Sequence, residues 1–173
     1  MVYSRGRIPI TNSLMEREMR KLFCFAMLLV LGTAAMAQKI DTKWNCAKPS
    51  TNPTLAVGDA PDHSYALGQG TCTAASSGSG EKSGAYTEFD ELWKATFTGH
   101  GRFNVTMDNG DLVYYTYETS GPNDIKKPAA NKWKIVSGTG KHKGIKGSGT
   151  CSGTRHDDGS SDWACAGTSE MGK

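Results

Sequence analysis

Helical patterning is almost missing from this chain. No stretch of 12 residues carries apolar side chains at alternating spacings of three and four, which excludes bundles and folds built on amphipathic helices. No C-x-x-C pair occurs, so neither a dithiol redox site nor a zinc ribbon is indicated. No G-x-S-x-G nucleophile elbow is present, and His63, His100, His142 and His156 share no spacing that suggests zinc. The segment His156 to Asp162 lacks the later bidentate glutamate of a calcium loop and reads as turn chemistry. No metal and no cofactor is therefore expected, and an enzyme is the lesser expectation. The one long apolar run, Leu22 to Ala37, has 16 residues and includes Gly32 and Thr33, short of the roughly 20 that a membrane-spanning helix needs.

That run has a different use. Arg20 and Lys21 precede it and Ala35-Met36-Ala37 closes it before Gln38, the order of a secretory signal. Residues 1–37 are expected to be a leader and signal peptide, with Met15 and Met19 as alternative starts, and 38–173 a single exported domain, secreted or periplasmic, without a transmembrane segment after cleavage. Of 20 Lys and Arg and 17 Asp and Glu, the leader takes five and two, which leaves 15 of each sign and a formal charge of zero. The basicity thus belongs to the leader and gives no support to a nucleic-acid partner. One local excess remains in Lys126, Lys127, Lys132, Lys134, Lys141, Lys143 and Lys146, a stretch without an acid. Lysine-guarded strand edges account for it; envelope adhesion through a lysine-rich surface is the alternative.

Four cysteines follow Gln38: Cys46, Cys72, Cys151 and Cys165. An even number in a small exported chain implies two bridges, for which three pairings exist. Asp157-Asp158-Gly159 lies midway between Cys151 and Cys165, so a hairpin centred on Asp158 sets these two across from each other, at cross-strand spacing suited to a disulfide. Cys46 is then left for Cys72. The same register puts Trp163 opposite Gly153, which the indole can cover.

What the chain has in abundance is Gly, Ser, Thr, Tyr and Val in short runs between turn residues, the composition of strands. Gln38 to Asp62, with Pro49, Pro53 and Pro61, reads as an irregular N-terminal arm, and Ala74 to Gly84 as a flexible loop. Thr87 to Thr98 reads as one strand with Phe89, Glu91, Trp93, Ala95 and Phe97 on one face. Asn109-Gly110 predicts a type I′ hairpin turn, which pairs Asp108 with Asp111, Val105 with Tyr114, Phe103 with Thr116 and Gly101 with Glu118. That register makes Val105 and Tyr114 part of a dry face and leaves Arg102, Asn104, Val113, Tyr115 and Tyr117 on the wet one. The expected fold is all-β: a single antiparallel β-barrel of six to eight strands, closed so as to remove exposed edges.

Ser137 to Thr150, SGTGKHKGIKGSGT, resembles the glycine-rich signature of the allene oxide cyclase and dirigent-like β-barrels. Gly138, Thr139, Gly140, Gly144 and Gly147 match it, whereas Ser137 replaces a glycine and His142 an aromatic residue. The resemblance implies an allene oxide cyclase-like barrel of an uncharacterised exported kind and carries no catalytic residue across.

On these grounds the expected activity is the binding of a small apolar or amphipathic molecule, or a structural or interaction role. An isomerase or cyclase of the allene oxide cyclase type is the alternative. Candidate ligand-binding residues are Glu118 and Glu91, as partly desolvated carboxylates, Tyr114 and Trp133, as pocket walls, and His100 with Arg102, as contacts for an anionic group. Oligomeric state is not indicated.

Overall fold

A computed structural model describes residues 37–172; the expected signal peptide, apart from Ala37, lies outside the described residues. Nine antiparallel strands form one sheet: β1 (Gln38–Cys46), β2 (Thr54–Ala56), β3 (Ser64–Ser77), β4 (Glu81–Leu92), β5 (Thr96–Met107), β6 (Leu112–Pro122), β7 (Ala129–Gly138), β8 (Ile145–Arg155) and β9 (Ser161–Met171). Their lateral order is β1-β9-β8-β7-β6-β5-β4-β3-β2, and β1 also pairs with β3, which closes eight strands into a barrel with β2 added outside. Closure leaves no long unpaired edge.

Strand formation follows from alternation with a period of two. In β1, Ile40, Thr42, Trp44 and Cys46 are buried, while Lys39, Asp41, Lys43 and Asn45 face water. On the outer surface of β7 and β8, Lys132, Lys134, Lys146, Ser148 and Thr150 are all exposed. Where bulky rings meet inside, glycines on adjacent strands make room. Trp133 lies against Gly149 and Gly167, and Trp163 covers Gly153, its register partner. Among the described residues, Cys46–Cys72 and Cys151–Cys165 are the two disulfides. Both join register partners, Cys151–Cys165 within the β8–β9 hairpin and Cys46–Cys72 across the β1–β3 pairing that closes the barrel.

The base of the barrel is packed solid. Val105 and Val113 are almost completely buried, with Met107 and Ile135 beside them. Next to them Glu81, 4% exposed, accepts hydrogen bonds from the hydroxyls of Thr42 (3.0 Å), Ser79 (2.7 Å) and Ser77. Three donors satisfy a carboxylate that would otherwise be costly to bury.

Several expectations are corrected. The irregular N-terminal arm is irregular only from Ala47 to Asp62, outside β2, because the first nine residues after Ala37 complete the barrel. Ala74 to Gly84 is the end of β3, a tight turn and the start of β4. The run from Thr87 to Thr98 is broken at Trp93–Ala95, so it forms parts of two strands.

The largest correction concerns Asn109-Gly110. Gly110 alone in that turn has positive φ (+84°); its N–H donates to Met107 O (2.9 Å), and the Met107 N–H donates to Asp111 O (2.9 Å). This is a three-residue loop, a type I turn closed by glycine in the left-handed region, and not a type I′ turn. It shifts the register by one residue: Val105 pairs with Val113, Phe103 with Tyr115, Gly101 with Tyr117 and His100 with Glu118. A one-residue slip reverses a whole strand. Val113, Tyr115, Tyr117 and Thr119 therefore point inward, and Tyr114, Thr116 and Glu118 point outward.

Candidate functional site

Register converts sequence into layers of the barrel interior. One layer runs through Asp90, Gly99, Thr119, Asn131, Cys151, Cys165 and Thr42; the next toward the base runs through Glu88, Gly101, Tyr117, Trp133, Gly149, Gly167 and Ile40. Nearer the loops lie Leu92, Phe97, Trp163 and Trp44, and below come Tyr86, Phe103, Tyr115 and Ile135. The upper of the two central layers is polar through Asp90, Thr119, Asn131 and Thr42, and Glu88 and Tyr117 add polar groups to the lower one. Within these layers is a cavity of about 340 Å³, lined by rings that include Trp44, Tyr86, Phe103, Tyr117, Trp133 and Trp163. It falls within the size range of small-molecule sites, roughly 300–1,000 Å³. Pro49, Asn52, Ile125, His156 and Ser160, from three loops at the same end of the strands, complete its wall.

Two acids of β4, Glu88 and Asp90, project into this space, two residues apart and therefore on one face. Opposite them β5 offers only Gly99 and Gly101, across which the Asp90 carboxyl and the Tyr117 ring extend. Burial raises the Glu88 pKa well above the usual carboxylate range; the Asp90 charge and a hydrogen bond with Asp90 add to this, while the Tyr117 hydroxyl opposes it. Burial also raises Asp90, but the hydrogen bond with Glu88 and the charges of His100 and Arg155 hold it lower. Glu88 is thus the member that keeps a proton and Asp90 the member that carries the charge. Desolvation and the neighbouring Glu88 push the Tyr117 hydroxyl up, so it remains a phenol and a hydrogen-bond donor.

Polar atoms are left over within this ring of side chains. Among the described residues, Asp90 Oδ1, Asn131 Oδ1, Trp133 Nε1 and Arg155 Nε are buried without a hydrogen-bond partner, and all four residues line the cavity. Arg155 closes the β8 end of the wall. Its Nη2 donates to Pro122 O (2.6 Å) and Asp124 O (3.0 Å), and its guanidinium lies 4.7 Å from the Phe97 ring centre. The guanidinium therefore braces the connection from β6 to β7.

Of the sequence-derived candidates, only Trp133 lines this cavity. Glu118, His100 and Arg102 are exposed on the outer face, and Tyr114 is half-buried there. Glu91 is also outside, because the alternation of β4 that turns Glu88 and Asp90 inward turns Phe89 and Glu91 outward. There Glu91 accepts from His63 Nε2 (2.9 Å) while Asp59 accepts from Nδ1 (2.6 Å), and Trp93 stacks on the imidazole with centroids 3.7 Å apart. Shielding from water lowers the His63 pKa, but the two carboxylates outweigh it and the net direction is upward. This ion cluster fastens the segment between β2 and β3 to β4.

Sequence reasoning missed Glu88, Asp90, Tyr117, Asn131 and Arg155. A signal existed in Tyr86-x-Glu88-x-Asp90 facing Gly99-x-Gly101: two glycines on one strand demand large side chains on the strand that faces them. The chain matches no protein-family model, and comparison with curated proteins finds no match either.

Proposed function

We propose that this protein is an exported carrier that binds a small, partly apolar molecule in the barrel interior. The carrying observation is an aromatic-walled cavity of about 340 Å³ whose lining residues include Asp90, Asn131, Trp133 and Arg155, each with a buried polar atom that lacks a partner. Buried polar groups are ordinarily satisfied, and a bound molecule with one polar end would find polar side chains among the rings of this wall. The polar outer face suits an aqueous surrounding, and the two disulfides suit an oxidising compartment. The glycine pattern of Gly138 to Gly147 supports kinship with the allene oxide cyclase-like barrels as part of the same proposal.

The test uses a neutral hydrophobic dye, N-phenyl-1-naphthylamine, whose fluorescence rises in an apolar site, with the wild-type protein and Gly68→Leu. Gly68 lines the cavity opposite Glu88, and a Cβ added there would meet only Tyr86 Cε2, at 3.9 Å. The leucine side chain would therefore fill the interior without displacing backbone. The wild type should bind the dye; Gly68→Leu should bind it at least about tenfold more weakly, at an unchanged or higher Tm, since burying a leucine contributes about 1.5–3 kcal/mol. Equal binding by both proteins, or none by the wild type, overturns the proposal.

A second reading, an isomerase or cyclase, is favoured by one observation: Glu88, whose pKa burial raises, stands beside Tyr117 on the cavity wall, where it could pass a proton. Chromatography of a ligand recovered after incubation separates the two, because a carrier returns it unchanged, whereas an isomerase returns a compound of equal mass and different retention whose formation Glu88→Gln abolishes.

A further inference from the structure

The four unpartnered atoms are not chemically balanced in strength. The acceptors Asp90 Oδ1 and Asn131 Oδ1 occupy one layer, joined by register through Gly99 and Thr119. Asp90 Oδ1 and Arg155 Nε belong to charged groups, whose unmade hydrogen bonds cost more than those of Asn131 and Trp133. Neither salt bridge nor direct hydrogen bond neutralises Asp90 among the described cations; Arg155, the one Lys or Arg among the described residues of the wall, spends its Nη2 on two backbone carbonyls. Below that layer the Tyr117 and Trp133 rings line the cavity, and aromatic faces attract positive charge. Trp133 is 6% exposed and its unpartnered N–H remains to meet an oxygen.

We infer that the ligand of this cavity is a small organic cation, a protonated amine on a flat apolar body, whose ammonium group is held by the Asp90 carboxylate in the polar layer of the wall. An ammonium has three donors and no acceptor, which complements a carboxylate that only accepts. A carboxylate ligand would be set against Asp90 and Glu88. A neutral alcohol would leave the Asp90 charge uncompensated. A hydroxyl or ether oxygen on the body would take the Trp133 N–H. Ammonium binding beside Asp90 also lowers the cost of ionising Glu88, so the Glu88 proton leaves to solvent as the cation arrives and the net charge of the interior is kept. The ionisable groups facing this pair are Tyr86 on β4, Tyr117 on β6 and Arg155 on β8, with His100 acting through β5 from outside; β3 contributes only Gly68 and Ala66 to that part of the wall.

This inference rests on the carrier proposal, and its experiment separates the two. Titration calorimetry of the full folded domain compares 2-phenylethylamine, 2-phenylethanol and 3-phenylpropanoate, with N-phenyl-1-naphthylamine as the independent report of an accessible cavity. The amine should bind ten- to a hundred-fold tighter than the alcohol, the range set by hydrogen bonds to a charged group. It should release protons, seen as a buffer-dependent heat, and its affinity should rise as pH increases from 6 to 8. Asp90→Asn should bring amine and alcohol to equal affinity while dye binding persists, which also certifies the fold of the variant. Equal affinities for amine and alcohol in the wild type, tighter binding of the carboxylate, or an amine preference that survives in Asp90→Asn each overturns the cation inference and leaves the carrier proposal standing. Dye binding without binding of any of the three compounds does the same. Loss of dye binding in the wild type removes the carrier proposal itself.

Discussion

Replacing Glu88 by glutamine should make the protein more stable at neutral and alkaline pH, and the gain should vanish in acid. A glutamate in an unfolded chain titrates near 4.5, whereas in the fold burial and the Asp90 charge keep the proton on. The folded state therefore binds more protons than the unfolded state between the two values, and stability falls as pH rises through that window. The favourable contribution is complete below 4.5 and is lost progressively toward the raised folded value. Each pH unit in the window is worth about 1.36 kcal/mol, so a carboxyl that stays protonated at pH 7 costs about 3 kcal/mol there. Glutamine mimics the neutral carboxyl: its amide donates to Asp90 and accepts from Tyr117, and it has no proton to lose. Urea unfolding of both proteins at pH 5, 6, 7 and 8 should give a difference below about 1 kcal/mol at pH 5, growing to about 3 kcal/mol at pH 7. His63 tilts the wild-type curve in the same direction, since its net pKa is raised, its stabilising charge is complete below its ordinary 6.5, and it fades as pH climbs through the folded value. It is present in both proteins and cancels in the difference. A difference that does not change with pH, or a less stable Glu88→Gln at pH 7, refutes the reasoning.

Two further outcomes test the architecture itself. Joint Cys151→Ser and Cys165→Ser substitution opens a bridge across 14 residues, and loop-closure entropy puts the loss at about 3 kcal/mol; thermal unfolding without reductant that shows no decrease would contradict it. For the central hairpin, cysteines introduced as Arg102→Cys with Thr116→Cys, register partners on the outer face, should link under mild oxidation, whereas the pair Phe103→Cys with Thr116→Cys, on opposite faces, should not. The reverse pattern by peptide mapping would restore the two-residue turn.

Legibility in the sequence was set by how local the determining physics is. The Cys151–Cys165 hairpin could be read because its turn, its disulfide and the Gly153–Trp163 pair all specify one register. Asn109-Gly110 located a hairpin equally well but left the turn length open: with only Gly110 in the left-handed region the loop gains a residue and β6 turns over, taking Glu118 and Tyr114 out of the interior. The inward acids escaped notice because alternation ordinarily assigns charge to water, and in Thr87-Glu88-Phe89-Asp90 it assigned Phe89 inward instead. What permits the inversion is non-local: a proton on Glu88, the hydroxyl of Tyr117, and the space above Gly99 and Gly101. Glu81 is similar, since one of its three donors, Thr42, lies 39 residues away. Proline marked where β1 ends but said nothing of the strand before it, whose Ile40-Thr42-Trp44 alternation was short and mixed in polarity.

The plug around Glu81 bears on traffic. With Val105, Met107 and Val113 packed beside it at the base, the lumen is a cul-de-sac, and on the carrier proposal a guest would arrive and depart through the loops that bear Pro49, Ile125 and Ser160. Dwell time would then be governed by the stiffness of those loops and choice of guest by the lining far below them, so evolution or a designer could retune either one and leave the other untouched.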